Sequence, residues 1–123
     1  MLDKIIELTN LYIDSMPKKE RKKYGQFFTS KETARFMASL YEMPMRKSCV
    51  TVLDAGAGSG ILSCAFIEWA EQFDTIIEIE LTCYENDENV LGLLRKNLEY
   101  CKEHSTKRLN IVFRQRTILQ VNI

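Results

Sequence analysis

The sequence predicts an α/β fold with a small parallel sheet. Three short β-type runs alternate with stretches whose apolar residues recur at helical spacing, and a cluster of glycines follows the first run. Strands that alternate with helices are joined by crossover connections, and such connections produce parallel sheets. The pattern therefore indicates half of a doubly wound sheet, built from three parallel strands.

Composition places limits on the class of protein. The 123 residues are the size of one domain, and a hydrophobic content of 46% can supply a core. Seventeen basic and seventeen acidic residues leave no net charge, so any affinity for nucleic acid must be local. Four separated cysteines inside apolar runs predict small core residues, a reducing compartment and hence the cytoplasm. Charged residues interrupt the first apolar stretch, so neither a signal peptide nor a membrane span is expected.

Two helices are predicted ahead of the first strand. The first covers Leu2–Asp14 and ends before Pro17. Lys18 to Tyr24 is predicted to be a basic, solvated loop, with contact to DNA phosphates as the less favoured alternative. The second helix is expected to begin with Thr29 as its cap, because Thr29 and Glu32 have the spacing of a capping box.

The sheet is predicted to lie in the remainder of the chain. We expect two segments, residues 1–48 with the N-terminal helices and residues 49–123 with the sheet. The predicted strands are Val50–Leu53, Ile77–Cys83 and Leu109–Phe113. A helix follows each of the first two strands, the second one starting with Asn86 or Asp87 as its cap.

The stretch from Asp54 to Gly60, with the sequence Asp-Ala-Gly-Ala-Gly-Ser-Gly, is the strongest indication of a ligand. It falls at the carboxyl end of the first strand, where ligands bind in α/β sheets, and glycine lets a ligand touch the main chain. An ordinary tight turn is the less favoured alternative. Ile61 stands where the dinucleotide fingerprint needs a glycine, which disfavours a nicotinamide-dependent oxidoreductase. The Asp54 carboxylate would repel a pyrophosphate but suits an ammonium or sulfonium group such as those of S-adenosylmethionine.

An acid at the end of the second strand completes this pattern. Glu85 would stand beside the glycine loop and could accept hydrogen bonds from ribose hydroxyls. Asn86 and Asp87 could bond an adenine edge or cap the next helix, and the sequence leaves both roles open.

Two motifs give the chain its resemblance to a known family. One is the glycine loop from Asp54 to Gly60, which is similar to the family's first cofactor motif, and the other lies upstream of it. The stretch Gly25-Gln26-Phe27-Phe28-Thr29-Ser30, placed ahead of the glycine loop, resembles a motif of gamma-class DNA methyltransferases that modify adenine N6 in restriction-modification systems. The resemblance spans roughly Tyr24 to Phe113 and implies a Rossmann-like, S-adenosylmethionine-dependent methyltransferase fold. It also implies that the upstream stretch covers the cofactor, with Thr29 near the methionine end, although Ser30 stands where the family prefers proline. The candidate cofactor-binding residues are Gln26, Phe27, Phe28, Thr29, Asp54, Ala55, Gly56, Gly58, Gly60, Glu85 and Asn86.

No catalytic residue is predicted. The family holds the target amine with an Asn-Pro-Pro-Tyr type loop, whereas the only prolines here are Pro17 and Pro44. Thr117 stands where the family has an acid that contacts adenine. His104 has no cysteine pair nearby, so no metal site is predicted. We therefore expect a truncated cofactor-binding half that is inactive alone and meets DNA only within the complete enzyme.

The resemblance also bears on assembly. In the family the fourth strand pairs with the first, so Val50–Leu53 would be left as an unpaired edge. Self-association into a dimer or higher oligomer is expected, with Ile118–Ile123 able to exchange as a strand. The competing hypothesis is a non-catalytic interaction module or partner subunit that keeps the methyltransferase fold.

Overall fold

The predicted three-stranded parallel sheet is confirmed. The computed structural model describes residues 1–25 and 28–116 of the chain. Its sheet has the order β1-β2-β3 with both neighbouring pairs parallel, which is compatible with a Rossmann-like fold. The elements are α1 (Leu2–Asp14), α2 (Lys18–Gly25), α3 (Lys31–Ser39), β1 (Cys49–Asp54), α4 (Ile61–Ala70), β2 (Glu78–Tyr84), α5 (Glu88–His104) and β3 (Arg108–Arg114).

One face of the sheet is buried and the other is open in the described part of the chain. Val50, Ile79 and Leu109 are level with one another across the three strands, and all three are buried. Their neighbours Thr51, Glu80 and Asn110 form the next row and are exposed. Side chains alternate between the two faces of a strand. This register therefore directs the apolar rows of all three strands toward the face that packs against the helices.

The helices form two layers on the buried face. Seven of the ten residues of α4 are buried, because the helix lies between the sheet and the N-terminal helices. The Glu68 carboxylate accepts bonds from the main-chain amide of Leu2 and from the Arg35 guanidinium, at 3.1 and 2.9 Å. Buried residues of both predicted segments, 1–48 and 49–123, belong to one apolar cluster. None of the described helices is long and apolar enough to cross a membrane.

The predicted loop from Lys18 to Tyr24 is wrong, because these residues form α2. In the described part of the chain three helices, rather than two, precede the sheet. Lysine, arginine and glutamate have high helix propensity even where no apolar stripe marks a helix. Pro17 precedes the first turn, where proline is tolerated, and its carbonyl accepts the Glu20 and Arg21 amides.

The predicted cap of the next helix is also wrong by one residue. Ser30, not Thr29, caps α3, since its hydroxyl accepts a bond from the Thr33 amide at 3.2 Å. Serine and threonine are both good caps, so the choice depends on where the chain turns into the helix. Because Ser30 is the cap, Thr29 lies outside the helix, and it lines a cavity together with the glycine loop.

Replacing Ser30 by alanine is expected to lower the free energy of unfolding by about 0.5–2 kcal/mol, the usual cost of losing a helix cap. Thr29→Ala is the matched control and should cost less, because Thr29 caps nothing. Urea unfolding of both variants measures the difference. A larger loss in Thr29→Ala would mean that the helix begins one residue earlier.

Candidate functional site

The turn from β1 into α4 is built on two glycines with left-handed backbone. Gly58 has φ +56° and Gly60 has φ +91°, values that favour glycine. The Ala57 amide donates to the Tyr84 carbonyl at 2.9 Å, which fastens the turn to the end of β2. The glycine loop therefore lies where the sequence predicts, at the carboxyl edge of the sheet.

The glycines of this loop have different surroundings. A Cβ on Gly60 would lie 3.0 Å from Leu94 Cδ1, so Gly60 allows α4 to approach α5 closely. A Cβ on Gly56 would meet nothing within 4 Å, and the neighbouring Ala55 is exposed. Gly56 is thus the glycine that leaves main chain open toward a ligand, whereas Gly60 serves packing.

Glu85 connects the end of β2 to the glycine loop. Its Oε1 accepts the Gly58 amide at 2.9 Å, and its Oε2 accepts the Asp87 amide at 3.0 Å. Carboxylate oxygens each carry two lone pairs, so both retain capacity for a further donor. The predicted neighbourhood of loop and acid is therefore present, with Glu85 also supporting the loop.

Asn97 also supports the loop, and sequence reasoning missed it. It is fully buried in α5, and its Nδ2 donates to the Ser59 carbonyl at 2.8 Å. Its Oδ1 and the buried Ser59 hydroxyl find no partner among the described residues. Burial of an amide is costly unless it is bonded, so this bond fixes the peptide between the two left-handed glycines. The sequence does contain an indication of this role, because Asn97 is a polar residue on the buried, apolar stripe of α5, next to Leu98.

Asp54 is a half-buried acid at the end of β1. Burial raises the pKa of its carboxyl above the ordinary value, although bonds from Ser63 and from the Gly56 amide oppose the shift. The Ser63 hydroxyl donates to Oδ2 at 2.6 Å. Burial and the nearby Asp54 charge raise the pKa of the Cys83 thiol to about 12, so this thiol stays neutral.

The upstream motif reaches the same loop. Phe28 and Thr29 line a cavity of about 70 Å³ together with Asp54 and the glycine loop. The Phe28 ring lies near Gly58, where an added Cβ would be 3.7 Å from it. Drug-sized ligands occupy pockets of about 300–1,000 Å³, so a nucleoside would extend beyond this cavity across the open edge. Gln26, Phe27 and Thr117 lie outside the described residues.

The two residues after Glu85 differ in their roles. Asp87 caps α5, where its Oδ1 accepts the Asn89 and Val90 amides at 2.9 and 3.2 Å. Its Oδ2 accepts the Tyr24 hydroxyl at 2.9 Å, which ties α2 to this edge of the sheet. Asn86 is exposed, so of the two it is the one available to a ligand.

An apolar groove adjoins the cavity. Its volume is about 200 Å³, and it lies between α3, α4 and β1. The groove and the cavity share Asp54 and Leu62 in their linings. Leu53, Phe36 and Leu40 are 54, 64 and 65% exposed, so the apolar surface of α3 and β1 extends beyond the groove itself.

A second group of polar residues lies at the opposite end of the sheet. Atoms of Cys49, Glu78 and Glu80 that could bind a metal lie within 4.8 Å of one another. Cys49 and Glu78 begin β1 and β2, so this group is remote from the glycine loop at the strands' carboxyl ends.

The parallel sheet, with a glycine loop and an acid at its carboxyl edge, is an α/β arrangement compatible with a Rossmann-like fold. Comparison with known proteins relates the chain to a methyltransferase. Its sequence is 35% identical over 102 residues to the Type II methyltransferase M.PstI of Providencia stuartii. The match covers 83% of this chain but only 19% of that protein. No protein-family model matches the chain.

The Asp54→Asn variant is expected to become more stable relative to the unaltered protein as the pH rises, measured by the free energy of unfolding. Because the folded-state pKa of Asp54 is raised, the folded state holds this proton more tightly than the unfolded state. The resulting stability is present at low pH and is lost as the pH rises through the folded pKa. Asparagine cannot ionise, so the variant's advantage should grow as the pH rises from about 4, the ordinary pKa of aspartate, through the raised folded-state pKa.

Urea unfolding across this pH range measures the change, with Asp74→Asn, at an exposed position, as the control. A flat difference for Asp54→Asn would contradict the assigned burial cost.

Proposed function

We propose that this chain is the S-adenosylmethionine-binding part of a DNA methyltransferase that modifies adenine N6. The subtype is the gamma class of restriction-modification systems, in which the upstream motif precedes the glycine loop. Kinship with a methyltransferase supports the enzyme class. The motif that contains Phe28 and Thr29 supports the choice of adenine. We propose that the protein acts in the cytoplasm, where its DNA substrate would be found. Three buried free thiols are consistent with this reducing compartment.

One observation carries the proposal. The second-strand acid bonds directly to the glycine loop, through Glu85 Oε1 and the Gly58 amide, and the upstream motif covers that loop through Phe28. The upstream motif and the glycine loop thus line one cavity at the carboxyl edge of the sheet, and Glu85 is bonded to the loop beside it. Ligands of open α/β sheets bind at this edge.

The residues present suit the cofactor's chemical groups. The remaining lone pairs of Glu85 would accept ribose hydroxyls, and the open space beside Gly56 permits close approach of main chain and ligand. Asp54 would face the ammonium or sulfonium end, where a positive charge offsets the cost of its buried ionised form. Thr29 and the free amides at the start of α3 would contact the methionine carboxylate.

Methyl transfer is proposed to need residues beyond this set. S-adenosylmethionine, when bound, supplies a methyl group on a positively charged sulfur. This chain's residues would hold and orient that group, but the sequence has no Pro-Pro-aromatic motif to hold the target amine. The chain spans 19% of the length of the methyltransferase it matches, so recognition of the DNA base sequence and methyl transfer are assigned to additional polypeptide.

Titration calorimetry with S-adenosylhomocysteine tests the cofactor role. The unaltered chain is expected to bind saturably, and Glu85→Ala should weaken binding by about tenfold or more, since a charged acceptor is lost. Glu88→Ala is the matched control, because it removes an exposed carboxylate three residues away. Its affinity should stay within about twofold.

Glu85→Gln separates the two roles of Glu85, because glutamine keeps an acceptor for the Gly58 amide. Intermediate affinity is expected. Absence of binding by the folded, unaltered chain would overturn the cofactor proposal, and preferential binding of a nicotinamide dinucleotide would revive the oxidoreductase alternative.

A second candidate function is an interaction module, which the exposed apolar surface at β1 favours. In the described part of the chain β1 pairs only with β2, and Leu53 beside its other edge is 54% exposed. Unpaired edges flanked by apolar side chains promote pairing with another chain. We propose a second copy of this chain as the occupant, since pairing of two identical edges closes into a two-fold dimer.

Leu53→Lys is expected to shift the chain from dimer to monomer, because a charge beside an open edge opposes strand pairing. Val112→Lys is the control, because it places the same charge on β3, at the opposite edge of the sheet. The Val112 side chain is 43% exposed. This variant should leave the dimer intact. Sedimentation velocity over a concentration series measures the change. A monomeric unaltered chain at all concentrations would overturn this proposal.

A further inference from the structure

Helix α2 concentrates positive charge in a chain that has none overall. The whole sequence has seventeen basic and seventeen acidic residues, whereas the eight residues of α2 include five basic residues and one acid. The remaining residues therefore carry an acidic excess of four. The separation of charge along the chain gives α2 an electrostatic character that the net charge hides.

The helical conformation arranges this charge on one face. With about 3.6 residues per turn, Lys18, Lys19, Lys22 and Lys23 lie within less than half of the helix circumference. All four are exposed, and we call them the lysine face. Arg21 and Tyr24 lie on the other side and are half-buried. A solvated loop would not hold four ammonium groups in this order.

The lysine face forms no ion pair with a carboxylate among the described residues. The ion pairs there use Lys4, Lys31 and Arg35 instead. Lysines four positions apart on a helix repel one another and destabilise the helix. The lysine face therefore lowers helix stability in the free protein, and an anionic partner would relieve this repulsion.

The contacts of Tyr24 place the C-terminal end of α2 beside the candidate site. The Tyr24 hydroxyl bonds Asp87 at 2.9 Å, and the Asp87 amide bonds the Glu85 carboxylate. Two hydrogen bonds thus connect the end of α2 to the acid that contacts the glycine loop. Lys22 and Lys23 belong to this last turn of α2, so a long anion bound to them would extend toward the carboxyl edge of the sheet.

We propose that the lysine face binds the phosphate backbone of duplex DNA. Neighbouring lysines one turn apart suit a row of phosphates, which carries regularly spaced negative charge. A membrane surface is disfavoured, because interfacial helices need an apolar face and α2 is polar around its circumference. The choice of DNA rather than RNA rests on the proposed function.

Fluorescence anisotropy with a labelled DNA duplex tests the proposal over a series of salt concentrations. The quadruple variant with glutamine at positions 18, 19, 22 and 23 removes the lysine face. The control variant has glutamine for four exposed basic residues elsewhere, Arg46, Lys47, Lys96 and Lys102, so both variants have the same net charge. Thermal unfolding verifies that each variant is folded.

At low salt the lysine-face variant should bind the duplex about tenfold or more weakly. The slope of log affinity against log salt concentration should become shallower by about 0.9 for each phosphate that the variant no longer neutralises. The control should stay within about twofold of the unaltered chain. Equal weakening in the two variants, or no binding by the unaltered chain, would overturn the proposal. Stronger competition by duplex RNA or anionic vesicles than by duplex DNA would replace DNA with that partner.

Calorimetry with S-adenosylhomocysteine separates this inference from the proposed function. The lysine-face variant should bind this ligand as the unaltered chain does, because none of its four positions lines the cavity. Cofactor binding without DNA binding would remove only the role of α2. DNA binding that depends on the lysine face, without cofactor binding, would remove only the cofactor role.

Discussion

Three hydrogen bonds hold the turn between β1 and α4, and the candidate site depends on them. The main chain of residues 57–59 is bonded in order by the Tyr84 carbonyl, the Glu85 carboxylate and the Asn97 amide. Glycine-rich turns lose much conformational entropy when they become ordered. Bonds from β2 and α5 offset this loss, so the loop has its shape before any ligand arrives. A preformed loop spares a ligand the cost of ordering it.

Glu85 supports the glycine loop, and the proposed function gives it a second role. Its carboxylate accepts hydrogen bonds from the Gly58 amide and the Asp87 amide, and in the proposed function the same oxygens would also accept ribose hydroxyls. Asp87 in turn caps α5 and accepts the Tyr24 hydroxyl. Although burial opposes it, bonds from Val90 and Tyr24 keep the pKa of the Asp87 carboxyl below its ordinary value. The anionic cap therefore holds α2, α5 and the glycine loop in one arrangement.

Asp54 links the polar cavity to the apolar groove. It lies in the linings of both, and its burial raises the pKa of its carboxyl. An acid retained where burial disfavours its charge is typical of a functional site. The groove beside it continues onto exposed apolar side chains of α3 and β1, such as Leu40 and Leu53. Whatever covers this surface would also border the methionine end of the proposed cofactor.

The sequence by itself determined the features that local pattern controls. Alternating and helical periodicities gave the three strands, α1, α4 and α5, and the glycines marked the turn after β1. Parallel strands end at a common edge, so the neighbourhood of Glu85 and the glycine loop also followed from the sequence. The assignment of a ligand class still rested on spacing and resemblance.

Tertiary structure decided what depends on residues distant in the chain. Asn97 reads as one more position on a helix until folding brings it to the Ser59 carbonyl, 38 residues away. Ser30 and Thr29 are both residue types that cap helices, and the structure places the cap at Ser30, whereas Thr29 lines the cavity. The basic run of α2 lacks an apolar stripe, so its helix and its attachment through Tyr24 could not be recognised from periodicity. Periodicity reports which residues a segment buries, whereas these contacts depend on which segments become neighbours.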